Sequence, residues 1–147
     1  MPWNPDGSHS SGQATITGLC QDEECLRDIL SAITRRAGVD GKPVVAGFDT
    51  ETTMDPDSDD IDHARKMVGF SLYVQGICSI YVPVGHRAKT DLFNFALDHG
   101  NVNEEFARWF FQELVSIHNL VLVIHNSKFD IHTLRNFGID PLSYKCR

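Results

Sequence analysis

Apolar positions along the chain change spacing several times, and each change marks an element. From Asp22 onward Leu26, Ile29, Leu30 and Ile33 recur at helical spacing; an acid starts the segment, and Arg35, Arg36 and Gly38 close it. A short amphipathic helix is predicted there. Residues 43–48 form an apolar run too short for a typical helix, and the polar cluster Asp49-Thr50-Glu51-Thr52-Thr53 follows it. That pattern predicts a buried strand with carboxylates at its C-terminal end. Residues 67–74 and 77–82 are rich in β-branched and aromatic side chains and are joined by Gln75-Gly76. A two-residue connection of this kind has hairpin length, so the three strands are expected to run antiparallel in sequence order.

The second half returns to helical spacing. Asn101 to Glu105 supplies a cap residue and first-turn acids, after which Phe106, Phe110, Leu114 and Ile117 keep one face apolar as far as His118-Asn119. Residues 120–124 are apolar at every position, as expected of a central parallel strand covered on both faces. A last helix starts at Asn126-Ser127 and passes through Leu134 and Phe137 to Gly138, which is placed as its C′ residue. The predicted order is therefore helix, three strands, helix, strand, helix. The fold class is α/β: a mixed sheet of an antiparallel three-strand meander plus a parallel strand, with flanking helices. Periodicity alone permits several α/β sheets of this kind.

Composition narrows the class. The 147 residues suit one domain; residues 1–20, rich in Gly, Ser, Pro and Asn, are expected to be a flexible leader, with 21–147 as the folded unit. A net charge of −7, from 20 acidic and 13 basic residues, argues against a broad basic surface for duplex DNA. Nucleic-acid contact, if any, is expected to be small and local. Cys20, Cys25, Cys78 and Cys146 form no C-x-x-C pair and lack zinc-finger spacing, which points to reduced intracellular thiols. Without an apolar stretch long enough for a bilayer or a signal peptide, a soluble cytoplasmic protein with no membrane partner is expected.

Chemistry is carried by acids. Asp49 and Glu51 lie two apart, so on a strand they project to one face, about 6.6 Å apart along the backbone. Two such oxygen donors can share a hard cation such as Mg²⁺ or Mn²⁺; the plainer reading is a pair of solvated loop acids. Asn126 and Asp130 share a face of the first turn of the last helix. Ser127-x-x-Asp130 is also close to a capping box, in which the acid only satisfies a backbone N–H. Both groups nevertheless fall at the C-terminal ends of predicted adjacent strands, where ligand sites of open α/β sheets collect.

At these residues the sequence resembles a family. Val45-Ala46-Gly47-Phe48-Asp49-Thr50-Glu51-Thr52 is similar to the first motif, Asp-x-Glu, of the DEDD 3′–5′ exonucleases. His125-Asn126-Ser127-Lys128-Phe129-Asp130 is similar to their second, Asn-x-x-x-Asp. Met67-Val68-Gly69-Phe70-Ser71-Leu72 and Tyr81-Val82-Pro83-Val84-Gly85-His86 resemble the proofreading domain of DNA polymerase I-like (family A) polymerases more than the ribonuclease D branch. The resemblance spans residues 43–147 and implies a ribonuclease H-like fold. It further implies that Asp49, Glu51 and Asp130 are catalytic metal ligands for two Mg²⁺ or Mn²⁺ ions, which activate a water against the 3′-terminal phosphodiester and release 5′-mononucleotides. Asn126 would position substrate or Asp130, and Thr50, Thr52 and Met54 would contact the last nucleotides. The implied partners are the single-stranded 3′ end of DNA and a polymerase domain in the same or another chain, in a phage or bacterial setting.

One departure bears on activity. The family's third motif, Tyr-x-x-x-Asp or His-x-x-x-Asp, does not occur after Asp130, and Tyr144 is the only tyrosine there. The chain is therefore expected to be the N-terminal portion of the exonuclease domain, C-terminally incomplete and weak or inactive alone. The alternative is a catalytically silent ribonuclease H-like module that guides DNA or supports a polymerase. Two other groupings are discounted: Asp55 to Asp60 imitates a calcium loop but lacks its turn glycine, and His86, His125 and His132 lack H-E-x-x-H spacing.

Overall fold

The computed structural model describes residues 15–39, 41–54, 65–86 and 100–143. Its elements in chain order are β1 (Ile16–Leu19), α1 (Glu23–Ala37), β2 (Val44–Met54), β3 (Arg65–Val74), β4 (Cys78–Pro83), α2 (Glu104–Ser116), β5 (Leu120–Ile124) and α3 (Ser127–Asn136). Helix starts follow local chemistry. The Asp22 carboxylate accepts the Glu24 N–H at 2.8 Å, and the Asn103 side chain accepts those of Glu105 and Phe106 at 2.9 and 3.2 Å. Each cap satisfies donors that the first helical turn leaves free.

The five strands form one mixed sheet in the order β1-β4-β3-β2-β5. β2, β3 and β4 are the predicted antiparallel meander, while β5 runs parallel to β2 after the crossover through α2. Order and direction are compatible with a ribonuclease H-like arrangement. At the β3–β4 turn Gly76 takes φ +71°, a backbone region that glycine enters without strain, and the Arg36 guanidinium donates to the Gln75 carbonyl.

Three expectations need correction. Residues 16–19, assigned to the leader, are β1, whose register with β4 runs from Ile16↔Cys78 to Leu19↔Tyr81. Four residues are too few to show a period, and their order comes from pairing with the β4 edge. β5 lies at the edge of the described sheet, not at its centre, and its Val121 and Val123 are exposed among the described residues. Lastly, β2 runs on to Met54, so Asp49 and Glu51 sit within a strand and not beyond its end. Polar residues end an apolar run, but they need not end a strand whose neighbour continues.

Strand alternation divides the sheet into two faces. Val44, Ala46, Phe48 and Thr50 of β2 point to the buried face with Phe70, Leu72 and Val74 of β3 and Cys78, Ile80 and Val82 of β4. Leu26, Ile29 and Ile33 of α1, Phe110, Phe111 and Leu114 of α2, and Leu134 of α3 complete that core. Its centre is aromatic: Phe48 lies 5.6 Å from Phe70 and 5.1 Å from Phe111 between ring centroids, and Phe70 stacks on Phe110 at 6.1 Å. At the α1–α2 contact the Arg27 guanidinium lies over Phe106 and Trp109, 4.8 and 4.7 Å from the ring centroids. On the opposite face Val45, Tyr73, Val121 and Val123 are exposed.

Cys20 and Cys78 are buried free thiols where β1 and β4 meet α1. Burial, with the nearby Cys25, pushes the Cys20 thiol from an ordinary 9.0 to about 12. Burial likewise raises Cys78 to about 11. Raised values mean that the folded chain keeps protons which the unfolded chain releases. The thiols' contribution to stability is thus complete below about pH 9 and falls as pH rises toward 11–12. Urea midpoints should drop between about pH 8 and about pH 11, and the drop should shrink in Cys20→Ala. Iodoacetamide should label both thiols slowly in the native chain and rapidly in urea; equal rates would contradict their burial.

Candidate active site

The site begins with a length mismatch between two parallel neighbours. Pairing of β2 with β5 ends at Phe48↔Ile124, yet β2 continues for six more residues to Met54. Beyond Ile124 the chain turns through His125-Asn126 into α3, which packs over β2 and β3. This brings Asp130, in the first turn of α3 and 0% exposed, against the overhanging edge of β2. Its Oδ1 accepts two bonds from one residue: the Thr50 N–H at 2.9 Å and the Thr50 hydroxyl at 2.5 Å. Two charge-assisted bonds from a rigid strand fix the carboxylate in place.

Asp130 is therefore not a capping acid. The N-cap Asn126 makes no side-chain cap bond, and the Asp130 N–H itself bonds the Asn126 carbonyl at 3.0 Å in the ordinary helical manner. The second oxygen, Oδ2, is buried without a protein hydrogen-bond partner. A buried oxygen left in this state is costly, and a water, an ion or a ligand would satisfy it.

Asp49 and Glu51 flank Thr50 and, by alternation, project from the opposite, open face, where both are exposed. The cross-strand rows there are Asp49–Ser71–Tyr81 and Glu51–Gly69–Pro83. Just past Glu51 the register shifts, Thr52 pairing with Met67, so Val68 is an extra residue on β3. Bulges of this sort re-aim side chains near functional sites. The Tyr81 hydroxyl bonds His86 Nε2 at 2.6 Å, and Asn101 holds the His86 backbone through bonds of 3.1 and 2.7 Å. Burial, and secondly the Glu51 charge, push the Tyr81 phenol above its ordinary 10.0. A shallow groove of about 610 Å³ on this face is lined by Asp49, Ser71, Tyr73, Tyr81, Val123 and His125 among others.

The structure thus gathers the predicted residues around one stretch of β2, but not all into one pocket. Asp130 is joined to Thr50, the residue between Asp49 and Glu51. Among the described residues, no three His, Cys, Asp or Glu side chains form a group ready to hold a metal ion. Thr50, expected to contact nucleotide, is 5% exposed with its side chain on the core face, where it anchors Asp130. Thr52 is half-buried after the bulge, and Asn126 is exposed at the head of α3. The Met54 side chain, the calcium-like segment Asp55 to Asp60, Tyr144 and the chain beyond it, and residues 1–14 of the leader lie outside the described residues. The Tyr81–His86 pair was not anticipated; its sequence signal is a tyrosine and a histidine flanking Pro83-Val84-Gly85 at the end of a strand.

Compared with known proteins, the chain matches no family model and no curated sequence. The case for a metal therefore rests on donor chemistry. The donors are carboxylate oxygens, the preferred ligands of hard divalent cations, and the orphaned Oδ2 of Asp130 is an oxygen that such a cation would satisfy.

Thr50→Val keeps the side-chain shape and the backbone bond but removes the hydroxyl donor to a buried carboxylate. It should cost about 1–3 kcal/mol of stability, with Thr50→Ser restoring most of it, as read from urea unfolding. A Thr50→Val chain as stable as the parent would show that the hydroxyl bond is absent in solution.

Proposed function

We propose that the chain is part of the 3′–5′ exonuclease (proofreading) domain of a DNA polymerase, of the ribonuclease H-like class, that acts on the single-stranded 3′ end of DNA. The observation that carries this reading is the pair of bonds that Thr50 donates to Asp130. Two acidic segments 80 residues apart meet at the overhang of β2, as the two resembled motifs require. Solvated loop acids and a capping box would not need that meeting.

In this reading Asp49, Glu51 and Asp130 hold Mg²⁺ or Mn²⁺. Bound in a complete site, the ions would supply an activated water and neutralise charge on the scissile phosphate. The chain's own residues act as follows. Thr50 fixes the Asp130 carboxylate and leaves its Oδ2 free to serve as a ligand. Asp49 and Glu51 present two carboxylates to the open face from the part of β2 that pairs with β3 beyond the end of β5. The groove beside Asp49, with Tyr73, Tyr81 and His125 on its walls, offers aromatic surface and a polar end to an unpaired nucleotide. Because the metals and a polymerase domain would carry the phosphate and duplex contacts, a net charge of −7 is compatible with the task.

A second reading, a catalytically silent module of a polymerase, is favoured by the absence of an assembled three-ligand group among the described residues. Mn²⁺ titration of the 147-residue chain separates the two. Saturable binding that Asp49→Ala and Asp130→Ala each weaken supports the exonuclease reading, and no binding at millimolar Mn²⁺ supports the silent one. With no third motif after Asp130, the isolated chain should degrade single-stranded DNA poorly or not at all in Mg²⁺. Vigorous degradation abolished by Asp49→Ala would overturn that expectation.

A further inference from the structure

We infer that Tyr81, braced by His86, is a positioning residue for the Glu51 carboxylate; this rests on the metal reading of the acids given above. Three observations meet at this point of the open face. The first is space. Gly69 lies directly across from Glu51 in the β2–β3 register, and a Cβ at position 69 would overlap the Tyr81 hydroxyl and ring edge and come within 2.8 Å of the Val82 carbonyl. Gly69 is not in the left-handed region of the backbone, so its conformation does not call for glycine. What calls for it is the path of the phenol, which crosses from its own row to the row of Glu51.

The second observation is restraint. A tyrosine at the rim of a sheet ordinarily turns its hydroxyl to water. Here the hydroxyl is tied to His86 Nε2 at 2.6 Å, and the two rings meet edge to face at 5.8 Å. His86 is in turn held by Asn101, whose side chain both accepts from the His86 N–H and donates to its carbonyl. A chain of contacts therefore runs from the segment before α2, through His86, to the Tyr81 hydroxyl.

Proximity is the third. The Tyr81 hydroxyl lies over Gly69, the cross-strand partner of Glu51, so the phenol reaches the Glu51 row of the open face, and burial, with the Glu51 charge added to it, raises the phenol. A hydroxyl fixed beside a flexible, exposed glutamate selects among its rotamers and holds the carboxylate ready for a ligand role. Loss of an outer partner of this kind typically costs about 10–100-fold in metal affinity. Asp130 is held by Thr50, and Tyr81 gives Glu51 the corresponding support on the other face of the same strand.

The test uses the ¹³C-labelled 147-residue chain, with the Glu51 carboxyl carbon resonance assigned through Glu51→Gln. In Tyr81→Phe, and again in Gly69→Ala, that resonance should move without added metal, and Mn²⁺ affinity should fall about tenfold or more. His86→Gln should act in the same direction, which keeps the test open if one variant folds poorly. An unmoved Glu51 resonance in Tyr81→Phe overturns the inference whether or not Mn²⁺ binds, and so does an Mn²⁺ affinity equal to the parent's. If the resonance moves but the parent chain takes up no Mn²⁺, the coupling of Tyr81 to Glu51 stands and the metal reading is what fails.

Discussion

The arrangement depends on one carboxylate oxygen receiving two donors from one residue. Asp130 Oδ1 takes both the amide and the hydroxyl of Thr50, and Asp130 is fully buried. A buried carboxylate held only by neutral donors is an expensive choice for a core. A hydrophobic residue would serve packing better at the same place. The cost is intelligible if the position exists to deliver the other oxygen, which has no protein partner.

That contact also explains the shape of the corner. Had β5 matched β2 in length, its backbone would have taken the Thr50 amide, and no side chain could reach it. Because β5 stops at Ile124, opposite Phe48, the amide two residues further along β2 is left for α3 to satisfy. The helix is thereby drawn onto β2 and β3, and Leu134 enters the common core. Strand lengths, helix docking and the orientation of an acid are consequences of a single missing strand partner. On the other face the bare backbone of Gly69 leaves room for the Tyr81 phenol in the row of Glu51.

The meander, the three helices and the parallel β5 were legible because each rests on a long periodic signal or a strong cap. β1 was not, since four residues show no period and owe their order to a strand some sixty positions away. The central placement of β5 failed for a different reason: an apolar strand records the demand for cover on both faces, not whether the described residues supply it. At the site, alternation counted inward from Phe48 already turns Thr50 toward the core and Asp49 and Glu51 away from it. The competition between capping and ligation at Asp130 could not be decided from spacing, because both roles want an acid in the first turn; only the tertiary contact with Thr50 separates them.

Electrostatics gives the last step. The ion pairs found among the described residues, Arg108–Glu104 and Arg135–Asp140, lie along α2 and just beyond α3. Neither involves Asp49, Glu51 or Asp130. Asp130 on the core side of β2 and Asp49 and Glu51 on its open side thus occupy one stretch of strand in a chain of net charge −7, and Asp130 is held there by the Thr50 hydroxyl and amide. Holding Asp130 through Oδ1 with neutral donors leaves its Oδ2 without a protein partner, and that oxygen is the atom a cation would satisfy.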